Sequence, residues 1–523
     1  MRLLSSVKVR VFLCSWIVFA AHFATNTVRE HYPAFTLVED GTFRVDKYRD
    51  FHPDIFVHTD GHAYIGNSVV ASIITTIPLF LFDPVLDRIE AYEQEKIRRE
   101  GVPATQYRNE DHPNSRTFFD LAKRAGLTLR FGASAAVTSV FMMSPLSALM
   151  IVLMLQILLD RGVRRERALS LALLFGFGTP VFFRTGVLNH NMMLMYTTFV
   201  AFHLLWIRPG EDSPSSANRR RAAGFLCGLG LALDYSGVIP LIALFGYLLV
   251  ARLRTVSVRT SVMESIPFVL ASVLPVLLLM YTQWSMFGNP FLPGQYWMPD
   301  ASTTVYGQFA NPYSTSGFRG LTWPQSSLFF LNLFDPSYGM YVYGPLLIVG
   351  LIPAYFYRRE TLILPGAERL FAAGFSLAFL TFCAANQYSR IQANSGFRYL
   401  VPLVPIIFLA AADHLARMPR RWLTLLAVPV LLNSWVISMV REPVPSSWLR
   451  VLTEGIQFPW LTTLRLTMPE GSIVASPFLP LAIACFISMV IAAIWKMGQA
   501  EANPGSRKNL TLAPQDSLRV PRH

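Results

Sequence analysis

The side chains able to carry chemistry fall in four stretches, each lying between apolar runs. From Asn26 to Ile65 the chain holds Glu30, Glu39, Asp40, Asp46, Asp54 and Asp60, with His52, His58 and His62. A carboxylate at a membrane interface serves as a general base or as a ligand for a divalent metal. Asp40-Gly41 and Asp60-Gly61 have a second use, because Asp followed by Gly is a common turn dipeptide. The second stretch is the turn Leu188-Asn189-His190-Asn191. A histidine there pairs with a carboxylate or a phosphate, or hydrogen-bonds the backbone. The third, residues 285–338, is crowded with aromatic rings, among them Tyr296, Trp297, Tyr306, Tyr313 and Trp323. Such rings stack on sugar faces, pack on lipid tails, or form an interfacial belt. The fourth runs from Asn386 to Pro405 and carries Arg390, Arg398 and Tyr399. A guanidinium fork is matched to phosphate oxygens, whether of a specific ligand or of lipid headgroups.

These stretches must be positioned by elements that suit a membrane. Of the 523 residues, 53% are hydrophobic and only 15% charged, and the mean hydropathy is +0.40. Soluble domains carry about 25% charge, so this chain cannot clothe several globular surfaces. Aromatic residues spread along its whole length exclude fibrous and disordered classes. All four cysteines lie inside apolar runs, so no disulfide framework is implied. The net charge of +13 comes from basic clusters between apolar runs, which reads as membrane topology and not as nucleic-acid binding.

A crossing helix needs about 20 apolar residues. Runs near 11–25, 131–158, 168–185, 190–207, 222–234, 237–251, 262–284, 341–357, 368–386, 399–415, 421–440 and 474–495 predict about twelve crossings in an all-α polytopic membrane protein. The two short runs at 222–251, joined by Asp234-Tyr235-Ser236-Gly237, suit a bent hairpin. Twelve crossings put the clusters at Arg161–Arg167, Arg219–Arg221, Arg252–Arg259, Arg358–Arg359 and Arg417–Arg421 on one side, with Arg2, Lys8 and Arg10. The positive-inside rule makes that side cytoplasmic and places both termini there. Residues 66–84 are apolar enough to cross, but a crossing there would invert every later cluster. They are therefore expected as a helix in the outer interface. The resulting organisation is a transmembrane domain over 1–495. Its first external loop covers 26–130, a second long one covers 285–338, and 496–523 form a disordered cytoplasmic tail. The basic, apolar N-terminus also has the look of a signal peptide, but the parity of the clusters needs it retained.

Several of these segments resemble one family in order and spacing. They are LVEDGTFRVD and TDGHAYIG in the first loop, FGFGTPVFFRTGVLNHNMML, GFLCGLGLALDYSGVIPL, MFGNPFLPGQY, DPSYGMYVYGPLLIVGL and SGFRYLVPLVP. Over about residues 10–415 the chain resembles integral-membrane glycosyltransferases of the GT-C superfamily, which includes bacterial aminoarabinose and mannose transferases and protein O-mannosyltransferases. The resemblance implies transfer of a sugar from a polyprenyl-phosphate donor to a lipid, glycan or protein acceptor at the outer face of the cytoplasmic membrane. It also implies a base just outside the first crossing and a second polar site near His190. Here the chain departs from the family, because Asn26 stands where the catalytic Asp is common. An amide takes no proton, so Glu30, Asp40 or Asp60 must replace it, or the chemistry has been lost. Arg398 and Arg390, with Tyr399, are the expected holders of the lipid phosphate. No P-loop or G-x-G-x-x-G is present, in keeping with a lipid-linked donor. Two other readings stand beside this one. A secondary transporter would use Asp234, and a lipid-binding or assembly protein would keep the fold without catalysis.

Overall fold

The computed structural model describes residues 2–103, 113–206, 216–253, 256–310, 313, 316–354, 357–358, 361–394, 396–440, 447–465 and 472–502. Among these, β-structure is confined to two short antiparallel hairpins and isolated bridges at Phe318–Leu321 and Leu321–Asn386, and helices make up most of the rest. Six helices are long and apolar enough to cross a membrane: Val70–Glu100, Thr128–Asp160, Val258–Phe287, Gly366–Ala385, Arg420–Met439 and Leu479–Gly498. Tyr235–Ala251 and Val401–Leu415 are shorter apolar helices. In a medium that offers no hydrogen bonds, a helix satisfies its own backbone, so uncharged runs adopt this form.

Several expected crossings are interrupted, most of them at glycine or proline. The first, α1 (Val7–Ala21), gives way to a segment over 23–28 before α2 (His31–Glu39). The run at 168–185 divides at Gly178-Thr179-Pro180, and the run at 399–415 opens with a 3-10 turn at Pro402. Residues 341–357 are not one helix. Met340–Tyr343 is followed by a 3-10 segment over Pro345–Leu351, because Gly344 is flexible and Pro345 lacks a donor. The last helix continues to Ala502, past the expected tail boundary at 496, while residues 503–523 lie outside the described residues. Arg254, Arg359, residues 104–112 of the first loop and residues 311–312 and 314–315 of the second also lie outside them.

The apolar segment at 66–84 and the charged one after it are a single 31-residue helix, α3 (Val70–Glu100). Its length and apolarity satisfy a membrane span. Its contacts tie both ends of its apolar half to the same part of the molecule. Ser68, just before it, donates to the carbonyl of Ala232, and Phe82 stacks on Phe141 at 4.8 Å. Ser139, two residues before Phe141, donates to the carbonyl of Gly186. The charged half is gathered by one cation. Arg130, in α5 (Thr128–Thr138), is buried against Glu90 at 2.6 Å, Asp87 and Glu39 at 2.8 Å each, and Asp83 at 3.6 Å. Tyr32, Phe35, Tyr48, Phe51 and Phe131 then form an aromatic core of their own. The first loop is thus a packed layer and not a solvated strand of chain. Residues of the second loop join it, with Phe287 stacked on Phe56, Trp297 edge-on to His58, and Gln295 donating to Asn67.

Basic clusters gather at one end of the bundle. Arg161 lies over the Trp206 ring at 4.3 Å, Arg219 donates to the Trp206 carbonyl, and Arg167 donates to the Met418 carbonyl. Trp206 follows the C-terminus of the helix His190–Leu205, whereas His190 begins it. Sixteen residues at about 1.5 Å each separate the basic end from the His190 end by roughly 24 Å.

Ala217–Leu233 packs closely on Val258–Phe287 through small residues. A Cβ on Gly224 would stand 2.0 Å from the Phe268 carbonyl oxygen, and one on Gly228 would stand 2.2 Å from that of Ser272. The four-residue spacing places both glycines on one face, so the two backbones meet directly. Gly228→Val should therefore lower thermal stability in detergent by several degrees, on the scale of about 1–3 kcal/mol for overpacking. Gly246→Ala, where nothing lies within 4 Å of the new carbon, should leave it unchanged or slightly raised. Equal melting curves for Gly228→Val and the parent would contradict the close packing.

Candidate functional site

A cavity of about 790 Å³ opens at the end of the bundle that carries His190, opposite the basic clusters. Its walls come from the segment after α1, the turn before β1 (Ile55–Val57), the turn before His190, the Asp234 hairpin and residues 386–399. Four of these five belong to the first, second and fourth polar stretches of the sequence, and Gln295, Met298 and Tyr313 of the third also line the cavity. The segment 23–28 is neither helix nor strand, and its side chains divide between two cavities. Ala24, Asn26 and Val28 face the cavity, while Phe23, Thr25 and Thr27 line a separate apolar groove of about 230 Å³.

One ion network forms the floor. Glu30 is buried, and its Oε1 lies 2.6 Å from Nδ1 of His190 and 3.2 Å from Nε of Arg29. On the other side of the ring, Nε2 of His190 is 3.1 Å from Oδ2 of Asp234. Carboxylates at both ring nitrogens favour the doubly protonated imidazolium. The same Arg29 reaches Asp54 with Nη1 at 2.7 Å. Burial alone would raise the Glu30 carboxyl, but the Arg29 and His190 charges outweigh it and hold Glu30 well below the usual carboxylate range. Asp54 is lowered in the same manner, with burial opposing and His52, Arg29 and Arg398 prevailing. His52 is itself pushed down by burial, and its Nδ1 accepts the Asp54 backbone N–H at 3.0 Å.

Local chain geometry fixes each member. Asn189 caps the helix that starts at His190, accepting the Asn191 N–H at 2.8 Å. Glu30 thereby sits at the positive end of that helix dipole. Asp234 caps the turn that follows it, with Oδ1 accepting the Ser236 N–H at 2.8 Å, and Oδ2 accepting from Asn191 Nδ2 at 2.9 Å. The β1 strand pairs antiparallel with β2 (Ala63–Ile65), Ile55 opposite Ile65. The Gly66 N–H then donates to the Asp54 carbonyl, which fixes the residue where the strand begins.

The roof holds the arginines. Buried Gln392 accepts the backbone N–H groups of both Arg398 and Tyr399, at 3.0 and 2.8 Å. Arg398 lies over the Tyr399 ring at 4.9 Å. Its Nε is buried and finds no hydrogen-bond acceptor among the described residues. Arg390 is held by the amide oxygens of Gln387 and Gln325, with no carboxylate partner among the described residues. Arg184 lines the same space and repels Arg398. Four arginines therefore face three carboxylates, an arrangement complementary to an anion.

Of the residues expected from the sequence, Glu30, His190, Arg390, Arg398 and Tyr399 all line this cavity, as does Asn26. Asp40 and Asp60 do not. Asp40 is exposed at the C-terminal cap of α2. Asp60 is exposed in the hairpin turn, where it accepts from the His62 N–H and the Tyr64 hydroxyl. Both Asp-Gly pairs are therefore turns, with Gly41 and Gly61 at positive φ. Arg29 and Arg184 were not anticipated, and Asp54 was named only as one of six loop acids. Arg29 carried a usable signal, since it lies just beyond the first crossing on the same side as Arg390 and Arg398, against the same topological bias. No group of three or more His, Cys, Asp or Glu among the described residues is placed to hold a metal ion. Glu30 and Asp234 sit on opposite nitrogens of one ring and share no common centre.

Compared with known families, with curated proteins and with solved structures, the chain matches none.

The network sets a pH dependence. The Glu30 carboxyl lies below its unfolded value of about 4.3, so its contribution to stability is complete above that pH and lost as pH falls further. Glu30→Gln should lower stability near pH 7 by about 2 kcal/mol, through loss of two charged hydrogen bonds. The gap between parent and variant should narrow as pH is lowered from about 5 to about 3. Unfolding in detergent across that range measures it, and a gap that widened would contradict the assignment.

Proposed function

We propose that this chain is an integral-membrane glycosyltransferase of the GT-C kind, moving a sugar from a polyprenyl-phosphate donor to a lipid, glycan or protein acceptor. The supporting observation is convergence. Glu30, His190, Arg390 and Arg398 are far apart in sequence and come together in one cavity that also holds more arginines than carboxylates. With the positive-inside rule applied to the clustered basic end, the cavity faces the outside of the cytoplasmic membrane and both termini face the cytoplasm.

The chemistry follows from the side chains present. An acceptor hydroxyl oxygen attacks the anomeric carbon, and the bond from that carbon to the phosphate oxygen breaks. The polyprenyl phosphate leaves with the bonding pair. Charge grows on its oxygens as it departs, and Arg398 and Arg390 stabilise that charge because their side chains hydrogen-bond only neutral groups among the described residues. Tyr399 keeps the Arg398 fork oriented by lying beneath it. The Glu30–His190–Asp234 chain is a scaffold that places Arg29 and the helix start beside the reacting groups.

A transporter reading rested on Asp234 as a lone acid in a crossing. That acid is instead a cap at a helix end, with partners on both oxygens, whereas transport sites use acids near the midplane. An assembly protein without catalysis would show no transfer in the assay below.

Arg398→Lys keeps the charge and removes the fork. Transfer from a polyprenyl-phosphate sugar should fall roughly 10–100-fold, the scale of one or two charged hydrogen bonds. A Lys variant equal to the parent would rule out phosphate recognition by the fork. Asp40→Asn and Asp60→Asn should transfer at the parental rate, and a folded variant of either without activity would move the site to the loop turns.

A further inference from the structure

The reaction leaves one role open, the group that accepts the proton of the acceptor hydroxyl. Resting on the transferase reading above, we propose that Asp54 is that group. Three carboxylates line the cavity, and they differ in how far each is withdrawn from it. The Glu30 side chain is 5% exposed and is bound by both His190 and Arg29. Asp234 has Oδ1 on the Ser236 N–H and Oδ2 shared between Asn191 and His190. The Asp54 side chain is 27% exposed, and only its Oδ2 is engaged, by Arg29 at 2.7 Å. Its Oδ1 accepts no hydrogen bond among the described residues. A base needs a free oxygen within reach of the substrate, and Asp54, the most exposed of the three, offers one.

Its surroundings suit the task. The backbone of Asp54 is fixed on both sides, the N–H on His52 and the carbonyl on Gly66, so the side chain departs from a rigid point. Arg29 orients the carboxylate through one oxygen and leaves the other. His52 spends Nδ1 on the Asp54 backbone N–H, so it anchors the turn. The Arg398 charge acts on Asp54, which sets the proton acceptor and the phosphate holder around one space. In the transfer, the acceptor oxygen forms its bond to the anomeric carbon while its proton passes to Asp54 Oδ1. The phosphate leaves as the monoester. A carboxylate is basic enough, because the hydroxyl becomes strongly acidic as its oxygen bonds to carbon. Asn26 faces the same cavity but cannot take a proton.

The test uses the full-length protein in detergent, radiolabelled synthetic polyprenyl-phosphate sugars (mannose, glucose, galactose and arabinose) and a membrane extract as acceptor source. Asp54→Asn should lose about 10²–10⁴-fold in transfer and keep its binding of polyprenyl phosphate. Azide needs no deprotonation, so Asp54→Ala with azide should release glycosyl azide, which a merely structural loss would not allow. Transfer by Asp54→Asn within about threefold of the parent, too small a loss for a general base, would overturn the assignment. So would a loss in both variants that azide does not relieve, since that marks Asp54 as support for Arg29. A parent inactive with every sugar would remove the transferase reading and this assignment together. An active parent with an active Asp54→Asn removes this assignment alone.

Discussion

A buried ion network centred on Arg29 and His190 is the constraint on which the rest of this structure depends. Taking Glu30 out of water is costly unless charges and hydrogen bonds surround it. Arg29 and His190 supply them, and each must then be balanced by Asp54 or Asp234. These five residues come from four different segments. Satisfying one fixes the positions of the others, so the segment after the first helix, the hairpin, the helix start at His190 and the Asp234 turn are locked into a single arrangement. Removing any one partner strands a buried charge.

A second, smaller set of interactions shields that network. Arg130 gathers four carboxylates from the first layer, and the ring cluster around Phe131 gives that layer a core of its own. The acids of the first loop thus divide into three kinds by environment: Glu39 in the Arg130 cluster, Asp60 in a turn, and Glu30 and Asp54 in the cavity. Roof and floor have opposite electrostatic character. The floor pairs its charges internally, whereas the hydrogen bonds that the Arg390 and Arg398 side chains make among the described residues go to neutral groups. That asymmetry leaves a positive surplus where an anionic leaving group would develop charge.

The helical character and the polar end of the molecule were legible in the sequence, because uncharged runs and basic clusters are one-dimensional patterns. Helix interruptions were legible only in part. Proline and glycine mark the breaks at Gly178 and Gly344, but a hydropathy window runs across them. Glu30, His190 and Arg398 were identified because each is an unusual residue beside a membrane segment. Asp54 was hidden among six loop acids, since only pairing across the hairpin and with Arg29 distinguishes it from Asp40 and Asp60. The motif that favoured those two, Asp before Gly, reports turn geometry and not chemistry.

A structure of the protein bound to polyprenyl phosphate, determined by electron cryomicroscopy in lipid nanodiscs, tests the central claim most directly. The account predicts the phosphate between Arg398 and Arg390, with its first bonded oxygen turned toward Asp54. Phosphate density outside this cavity, or a cavity left empty at saturating ligand, would contradict it.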